Sequence, residues 1–319
     1  MVGSGFSKSF CPEMPTLKDL NDRIPEGIGP ECLALKNYCR WLAELCRGEP
    51  EYLKIESVAT DILAAQIFPS EAERLRNAEL RFELLRFIAM SMRKNVPLSE
   101  RASRLFSKFL SAVSNDCDCP RRDNLILSFN YDTLIEDQIR QDPFLFQTVS
   151  VDYGVNMEFA NRFAVSERRS RTVDLLKLHG SLNWYSVKGA SEEFDLKNVC
   201  RVERGDGDFP MYEKDNPIFI PMAHAKESFL KGSLFNVIWA KADYYLSNAD
   251  EIFVIGYGFP QTDGNSFPFL LKHRDRIRQV VVFEKPGDAS VERLKRLFGK
   301  DVVACRDAKD FLSEMFDAG

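Results

Sequence analysis

Short apolar runs that end in polar residues constrain the fold of this chain more than any other feature. Residues 125–127 (Leu-Ile-Leu) form one such run, which is too short for a helix and is typical of a strand buried on both faces. The run leads to Asn130 and Asp132, and residues 133–139 then follow a helical pattern. In an open α/β sheet, ligands bind at such carboxyl ends of strands. The two side chains could also serve only to cap the helix and tie the turn.

The same pattern, an apolar run that leads into polar residues, recurs along the chain. Apolar runs at 173–178, 251–256, 279–284 and 302–305 each predict a buried strand, and most of them lead into polar or glycine-rich residues. Strand, polar loop and helix therefore alternate at least four times. This alternation predicts an α/β fold with a Rossmann-like, doubly wound parallel sheet and a candidate site along one edge.

A long helical segment interrupts that alternation. Residues 31 to 115 are helical almost throughout by pattern, with helices expected at 31–47, 51–68, 71–92 and 99–113. We predict a single domain over residues 1–319, with this segment as an inserted α-helical layer and a surface excursion at about 189–217. Further helices are expected at 233–246 and 307–316, and weak strand signals lie at 144–153.

Charge and cysteine usage narrow the classes of function. The net charge of −5 indicates no general affinity for nucleic acid or anionic membrane, and neither a signal peptide nor an apolar run of membrane-spanning length is visible. The eight cysteines include no Cys-x-x-Cys pair, so neither a structural zinc site nor any other metal is expected. A cytoplasmic protein with reduced thiols is the simplest interpretation.

The chain opens on Gly3-Ser4-Gly5, a spacing that lets a backbone approach a phosphate closely. A flexible end has the same composition. Such loops normally follow a buried strand, and here only Met1 and Val2 precede the glycines. Either that strand is nearly absent or the start of the protein lies upstream.

Two later loops contain further candidates. His179 lies between an apolar strand and Gly180, and it is one of only three histidines, although a lone histidine is more often packed or exposed than catalytic. Residues 256–263 follow the clearest strand and have the composition of a ribose or phosphate loop, although a plain turn would look similar.

Four segments in this order resemble the motifs of one family: 3–7 (GSGFS), 129–132 (FNYD), 178–184 (LHGSLNW) and 255–263 (IGYGFPQTD). They are similar to the sirtuin-like NAD hydrolases of bacterial antiviral defence, distant relatives of the deacetylating sirtuins, and they span nearly the whole chain. The resemblance implies that Asn130 and His179 carry the chemistry, with Asp132 in support. The implied NAD-binding residues are Gly3, Ser4, Gly5, Phe6, Ser7, Gly256, Tyr257, Gly258, Asp263 and Glu284.

The function implied by the resemblance is hydrolysis of the nicotinamide–ribose bond of NAD⁺, which yields nicotinamide and ADP-ribose and depletes NAD during antiviral defence. The alternatives are a module that senses NAD or ADP-ribose without turnover, and an NAD-dependent protein deacylase. The four-cysteine zinc module of deacetylating sirtuins is absent from the sequence, which argues against the deacylase. Since free NAD hydrolysis would harm the host, we expect gating through a homo-oligomer, or a ring with a partner ATPase or nuclease, built on the helical layer.

Overall fold

The structure, a computed structural model, describes residues 1–47, 49–64, 71–92, 98–119, 124–159, 169–186, 194–202, 217–224, 232–260, 262–283, 288–299 and 302–305. The strands within these ranges are β1 (Asn115–Asp116), β2 (Ile126–Ser128), β3 (Val149–Asp152), β4 (Glu158–Phe159), β5 (Arg171–Lys177), β6 (Trp184–Ser186), β7 (Val199–Arg201), β8 (Glu251–Ile255), β9 (Gln279–Phe283) and β10 (Val302–Cys305). The α-helices in the same ranges are α1 (Ser4–Phe10), α2 (Leu17–Asn21), α3 (Leu33–Leu45), α4 (Ile55–Ala64), α5 (Glu71–Met92), α6 (Glu100–Val113), α7 (Leu134–Gln141), α8 (Pro143–Thr148), α9 (Ser233–Leu246), α10 (Ser266–Lys272) and α11 (Ala289–Phe298).

These elements form a mixed α/β fold, which confirms the α/β part of the expectation. Strand β5 pairs in parallel with β2, and β8, β9 and β10 form a second parallel set. Parallel bridges from Val2 to Ser128 and to Ile255 join the two sets. The resulting order is β5, β2, Met1–Val2, β8, β9 and β10.

The first two residues therefore occupy the position of the strand that the sequence almost lacks. The Val2 N–H donates to the carbonyl of Leu127 over 2.8 Å, and the Ile255 N–H donates to the carbonyl of Met1 over 2.9 Å. Gly3 and the residues after it are thereby placed at the carboxyl edge of the sheet, between the loops that follow β2 and β8.

Strand pairing is mixed at the margins of the main sheet. Strand β1 pairs antiparallel with β5, and β3 pairs in parallel with β5. A small separate sheet has the order β4, β7, β6, in which β6 and β7 are antiparallel and β4 and β7 are parallel.

The predicted helical layer consists of α3 to α6 in the described residues, and its apolar core is continuous with that of the sheet. The helical layer contacts the carboxyl edge of the sheet through α1. Phe10 of α1 stacks on Phe106 of α6 with ring centroids 4.3 Å apart. Phe6 packs edge-on to the same ring at 5.7 Å. The glycine loop at residue 3 is therefore tied to the helical layer by two aromatic side chains.

Several boundaries differ from expectation for local reasons. The helices expected at 31–47 and 51–68 each begin with a 3₁₀ turn, Pro30–Cys32 and Pro50–Leu53. The strand signal at 144–153 was wrong in its first half, where α8 forms because Asp142 accepts hydrogen bonds from the N–H groups of Phe144 and Leu145. The helix expected at 307–316 and most of the excursion at 189–217 lie outside the described residues.

No helix in the described ranges is long and apolar enough to cross a membrane.

Candidate functional site

The carboxyl ends of β2, β5 and β8 deliver their loops to the same edge of the sheet because these strands run parallel. Asn130 and Asp132 follow β2, His179 follows β5, and residues 256–263 follow β8. The structure brings these loops into direct contact with one another and with α1.

Asn130 connects the β2 loop to the start of the chain. Its Nδ2 lies 2.8 Å from the carbonyl oxygen of Gly3 and 2.8 Å from Oγ of Ser7. A backbone carbonyl can only accept, so the nitrogen of the amide must face Gly3. The Oδ1 of Asn130 accepts no hydrogen bond within the described part of the chain, which leaves it available to a ligand.

Asp132 has both of the roles that the sequence left open, since it caps a helix and also takes part in the candidate site. Its Oδ1 accepts from the N–H of Leu134 over 3.1 Å, which supports the first turn of α7. Its Oδ2 accepts from Oγ of Ser7 over 2.7 Å. The carboxylate thus helps to cap a helix and also holds Ser7 against Asn130.

His179 lies in a buried pair with Asp263. Its Nε2 is 3.2 Å from Oδ1 of Asp263, and both residues are almost fully buried. The second carboxylate oxygen of Asp263 accepts a hydrogen bond from the hydroxyl of Tyr257. Burial, and then the charge of Asp263, raise the pKa of Tyr257 well above its usual value, so the phenol remains a donor.

Aromatic rings enclose the imidazole of His179. Phe129 meets it edge-on with centroids 5.4 Å apart, and the rings of Tyr131 and Trp239 lie at 6.5 and 6.4 Å. Phe129 in turn stacks on Tyr257 at 4.0 Å. This apolar surrounding excludes water and strengthens the electrostatic contact between His179 and Asp263.

The turn after His179 requires glycine. Gly180 has φ +82°, and a Cβ on it would lie 2.4 Å from the carbonyl oxygen of Ile218. Hydrogen bonds from Ser181 N–H to Ile218 (3.0 Å) and from Ile220 N–H to His179 (2.8 Å) hold the two segments together. Residues 218–220 therefore support His179, a role that the sequence did not indicate.

The two glycine loops pack directly against each other. A Cβ on Gly3 would lie 2.5 Å from the carbonyl oxygen of Gly256, and one on Gly5 would lie 2.8 Å from its Cα. The N–H of Gly3 donates to Ile255 and that of Gly5 to Gly256. These two amides are therefore engaged by the protein, and the glycines here permit loop contact rather than presenting free N–H groups to a phosphate.

The other predicted binding residues occupy different environments. Ser4 and Gly258 are exposed at the edge, whereas the ring of Phe6 belongs to the core. Glu284 lies outside the described residues. Asp263, which was expected among the NAD-binding residues, lies against His179.

Sequence reasoning missed Lys177, which is 1% exposed at the end of β5. Its Nζ donates to the carbonyl of Asp132 and to Oγ of Ser181, and it lies 3.2 Å from Oε1 of Glu136. Burial raises the pKa of Glu136, and the charge of Lys177 opposes that shift. A lysine that follows Leu175 and Leu176 in a strand expected to be buried was the available signal, since a buried charge must be paired.

No group of three or more His, Cys, Asp or Glu residues suited to a metal ion occurs in the ranges that the structure covers. No protein-family model matches the chain. None of the curated proteins compared with it matches at a significant level.

Proposed function

We propose that this protein is an NAD⁺ hydrolase that cleaves the bond between nicotinamide and ribose, on a Rossmann-like doubly wound sheet. Strand order supports the fold. If Met1–Val2 is counted as the first strand and the marginal strand β3 is left out, the other six parallel strands lie in the order 3-2-1-4-5-6, which is typical of dinucleotide-binding sheets. The loops at the switch between the first and fourth strands are those that contain Gly3 and Gly256.

The observation that carries the proposal is the convergence of Asn130 and His179 at the ends of neighbouring parallel strands. Asn130 is held by Gly3 and Ser7, and His179 is held by Asp263. An amide oxygen and an imidazole beside two glycine loops suit a reaction that builds positive charge on a sugar and consumes water.

Loss of nicotinamide leaves an oxocarbenium-like centre at C1′ of the ribose. The carbonyl dipole of Asn130, with its Oδ1 available, can stabilise that charge without reorganising, because Nδ2 is already held by two hydrogen bonds. Nicotinamide departs with the electron pair of the C1′–N bond, and the oxygen of water forms the new bond to C1′.

His179 is the proposed acceptor of the proton from that water. Nε2 of His179 lies 3.2 Å from Oδ1 of Asp263 without a hydrogen bond between these two atoms in this conformation. We propose that in the open, NAD⁺-bound site Asp263 accepts from Nε2–H, so that the neutral imidazole has its basic lone pair on Nδ1. Asp263 then stabilises the imidazolium that forms. Neither step requires a metal.

The site is closed in this conformation. Asn130 is 8% exposed and His179 is 6% exposed, so a nucleotide needs an opening movement to reach either. This burial is the observation that favours the second candidate, a sensor whose site opens only with a signal. An NAD-depleting effector of antiviral defence, whose activity must be gated, would need the same opening movement before turnover.

The test is incubation of the purified protein with NAD⁺, followed by chromatography of nicotinamide and ADP-ribose. We expect release in the wild type and a decrease of about 10² to 10⁴-fold in Asn130→Ala and in His179→Ala. His224→Ala is the matched control because His224 is exposed and lies outside the site. Near-normal release by both site variants would refute the assignment, and NAD⁺ binding without release would favour the sensor.

A further inference from the structure

A groove lies between α10 and α11, beside the loop that follows β8. Its volume is about 560 Å³, which is within the range of sites that hold nucleotide-sized ligands. Its walls belong to residues 259–274 of the loop and α10, and to residues 293–297 of α11. Neither Asn130 nor Ser7 lines it.

One part of the groove wall is apolar. Phe259, Pro260 and Phe267 line the side nearest the loop, and Leu271 and Leu297 line the helical side. Leu271 is 48% exposed although it is a large aliphatic residue. Such a wall suits the planar or apolar body of a small molecule.

The other part of the wall is strongly basic. Arg274, Arg293 and Arg296 all line the groove, and Asp263 is the one acidic residue among the described lining residues. One carboxylate can offset at most one of the three positive charges. The groove is therefore net positive.

The three arginines differ in the contacts that they already make within the protein. Arg293 donates to the carbonyl oxygen of Phe259, a non-glycine residue with φ +48°, and so holds the loop at the edge of the groove. Arg274 lies 3.4 Å from Asp275, in a pair whose side chains are both largely exposed to solvent. Arg296 forms no ion pair within the described ranges. Two exposed guanidinium groups are thus available to an anion, and guanidinium binds phosphate through paired hydrogen bonds.

We propose that this groove is a binding site for an organic phosphate, with the phosphate held by Arg274 and Arg296 and the apolar or aromatic body lying against Phe267 and Leu271. A nucleoside phosphate has the size and chemistry that fit. The groove does not include Asn130 or Ser7, and it shares with the candidate site only the loop residues Phe259, Pro260 and Asp263. The proposal does not depend on hydrolysis of NAD⁺.

The test is the fluorescence anisotropy of a fluorescently labelled ADP titrated with the full-length protein at low ionic strength. We expect saturable binding that the double variant Arg274→Gln/Arg296→Gln weakens at least about tenfold, because two charge-assisted contacts are lost. Thermal unfolding should be unchanged in the arginine variant, since both side chains are largely exposed.

The matched control is Arg276→Gln/Arg278→Gln, which removes the same charge from two arginines that pair with Asp250 at the opposite edge of the sheet. This control should retain binding. Unlabelled ADP should displace the probe, and adenosine at the same concentration should not. The proposal is overturned if binding is not saturable, if the Arg274/Arg296 variant binds as the wild type does, or if adenosine competes as well as ADP.

Discussion

At the scale of single residues, Asp263 has the most informative surroundings in the candidate site. One oxygen faces Nε2 of His179 at 3.2 Å and the other accepts from Tyr257. The carboxylate therefore lies against the imidazole, and we propose that it orients the ring in the reacting site. Asp263 does not need to touch the substrate to matter, so we regard it as a positioning residue for His179.

We predict that Asp263→Asn lowers the rate constant for nicotinamide release by on the order of 10²-fold while leaving the affinity for NAD⁺ nearly unchanged. The amide can still accept from Tyr257, but it cannot stabilise an imidazolium. The measurement is kcat and KM together with direct binding of NAD⁺.

Asp243→Asn is the control for this prediction, because Asp243 forms a similar pair with His273 at 2.8 Å away from the candidate site. It should retain full activity. Equal loss in the two variants, or a change confined to KM, would contradict a positioning role for Asp263.

At the scale of elements, the contact between the two glycine loops determines whether α1 can dock on the sheet. Gly256 has φ +61°, and a Cβ on it would lie 2.1 Å from the backbone nitrogen of Phe6. The backbone of two segments occupies the space, so no side-chain movement can relieve the overlap.

We predict that Gly256→Ala lowers the free energy of unfolding by about 3 kcal/mol or more, from backbone strain plus overpacking. Gly258→Ala is the matched control two residues away, where a Cβ meets nothing within 4 Å. It should change stability by no more than about 0.5 kcal/mol. Urea denaturation of both variants measures the difference, and similar stabilities would show that the loops do not pack as described.

The stability of the start of α2 depends on pH because the carboxylate of Asp19 takes part in its capping box. Asp19 accepts from the N–H and the hydroxyl of Thr16, each over 2.7 Å, and from Lys8 of α1 over 2.9 Å. The hydrogen bonds from Thr16, with that from Lys8, hold the pKa of Asp19 well below its usual value of 3.8. A depressed folded-state pKa means that this contribution to stability is present above pH 3.8 and is lost as the pH falls toward the folded value.

We therefore predict that Asp19→Ala destabilises the protein by about 1 kcal/mol at pH 7. The difference from the wild type should shrink as the pH decreases below 3.8, because the wild type then loses the same contribution. Urea titrations at a series of pH values measure this difference in the free energy of unfolding. Asp22→Ala is the control, since that carboxylate accepts no hydrogen bond from the residues described; a pH-independent difference for Asp19→Ala would contradict the argument.

At the scale of the whole molecule, the helical layer presents apolar residues to solvent. Leu33, Trp41 and Leu45 of α3 are 57%, 50% and 63% exposed, and Tyr52 in the adjacent 3₁₀ turn is 53% exposed. Trp41 and Leu45 are one helical turn apart and share a face. The same layer contacts α1 through Phe106, so a subunit that binds it lies close to the elements that hold Asn130.

We predict that the protein assembles into a homo-oligomer, or joins a partner ring, through this α3 surface, and that assembly controls the opening of the site. Trp41→Glu/Leu45→Glu should shift the oligomer to monomer in light scattering at matched concentration, because two charges would be buried in the contact. Tyr244→Glu is the control, since Tyr244 is 68% exposed on α9, outside the layer. A wild type that is monomeric at every concentration, with activity unchanged on dilution, would contradict the prediction.

The sequence by itself determined many of the elements and the ends of some of them. Helices α5 and α9 match the expected ranges 71–92 and 233–246, and β10 matches 302–305. Apolar periodicity and caps specify such elements because burial and backbone hydrogen bonding within them are satisfied over a few neighbouring residues. Asn130, Asp132 and His179 were found for the same reason, since each follows a recognisable strand.

Only the tertiary structure decided what these side chains touch. The pairing of His179 with Asp263, the burial of Lys177 beside Glu136 and the packing of Gly3 on Gly256 each join residues on separate elements. Those contacts depend on the lateral order of the strands and on the register between them. Local sequence patterns specify neither the order nor the register. The bridges at Val2 show why: Met1 and Val2 carry no strand pattern of their own, and they lie in the sheet because the strands on both sides supply their hydrogen bonds.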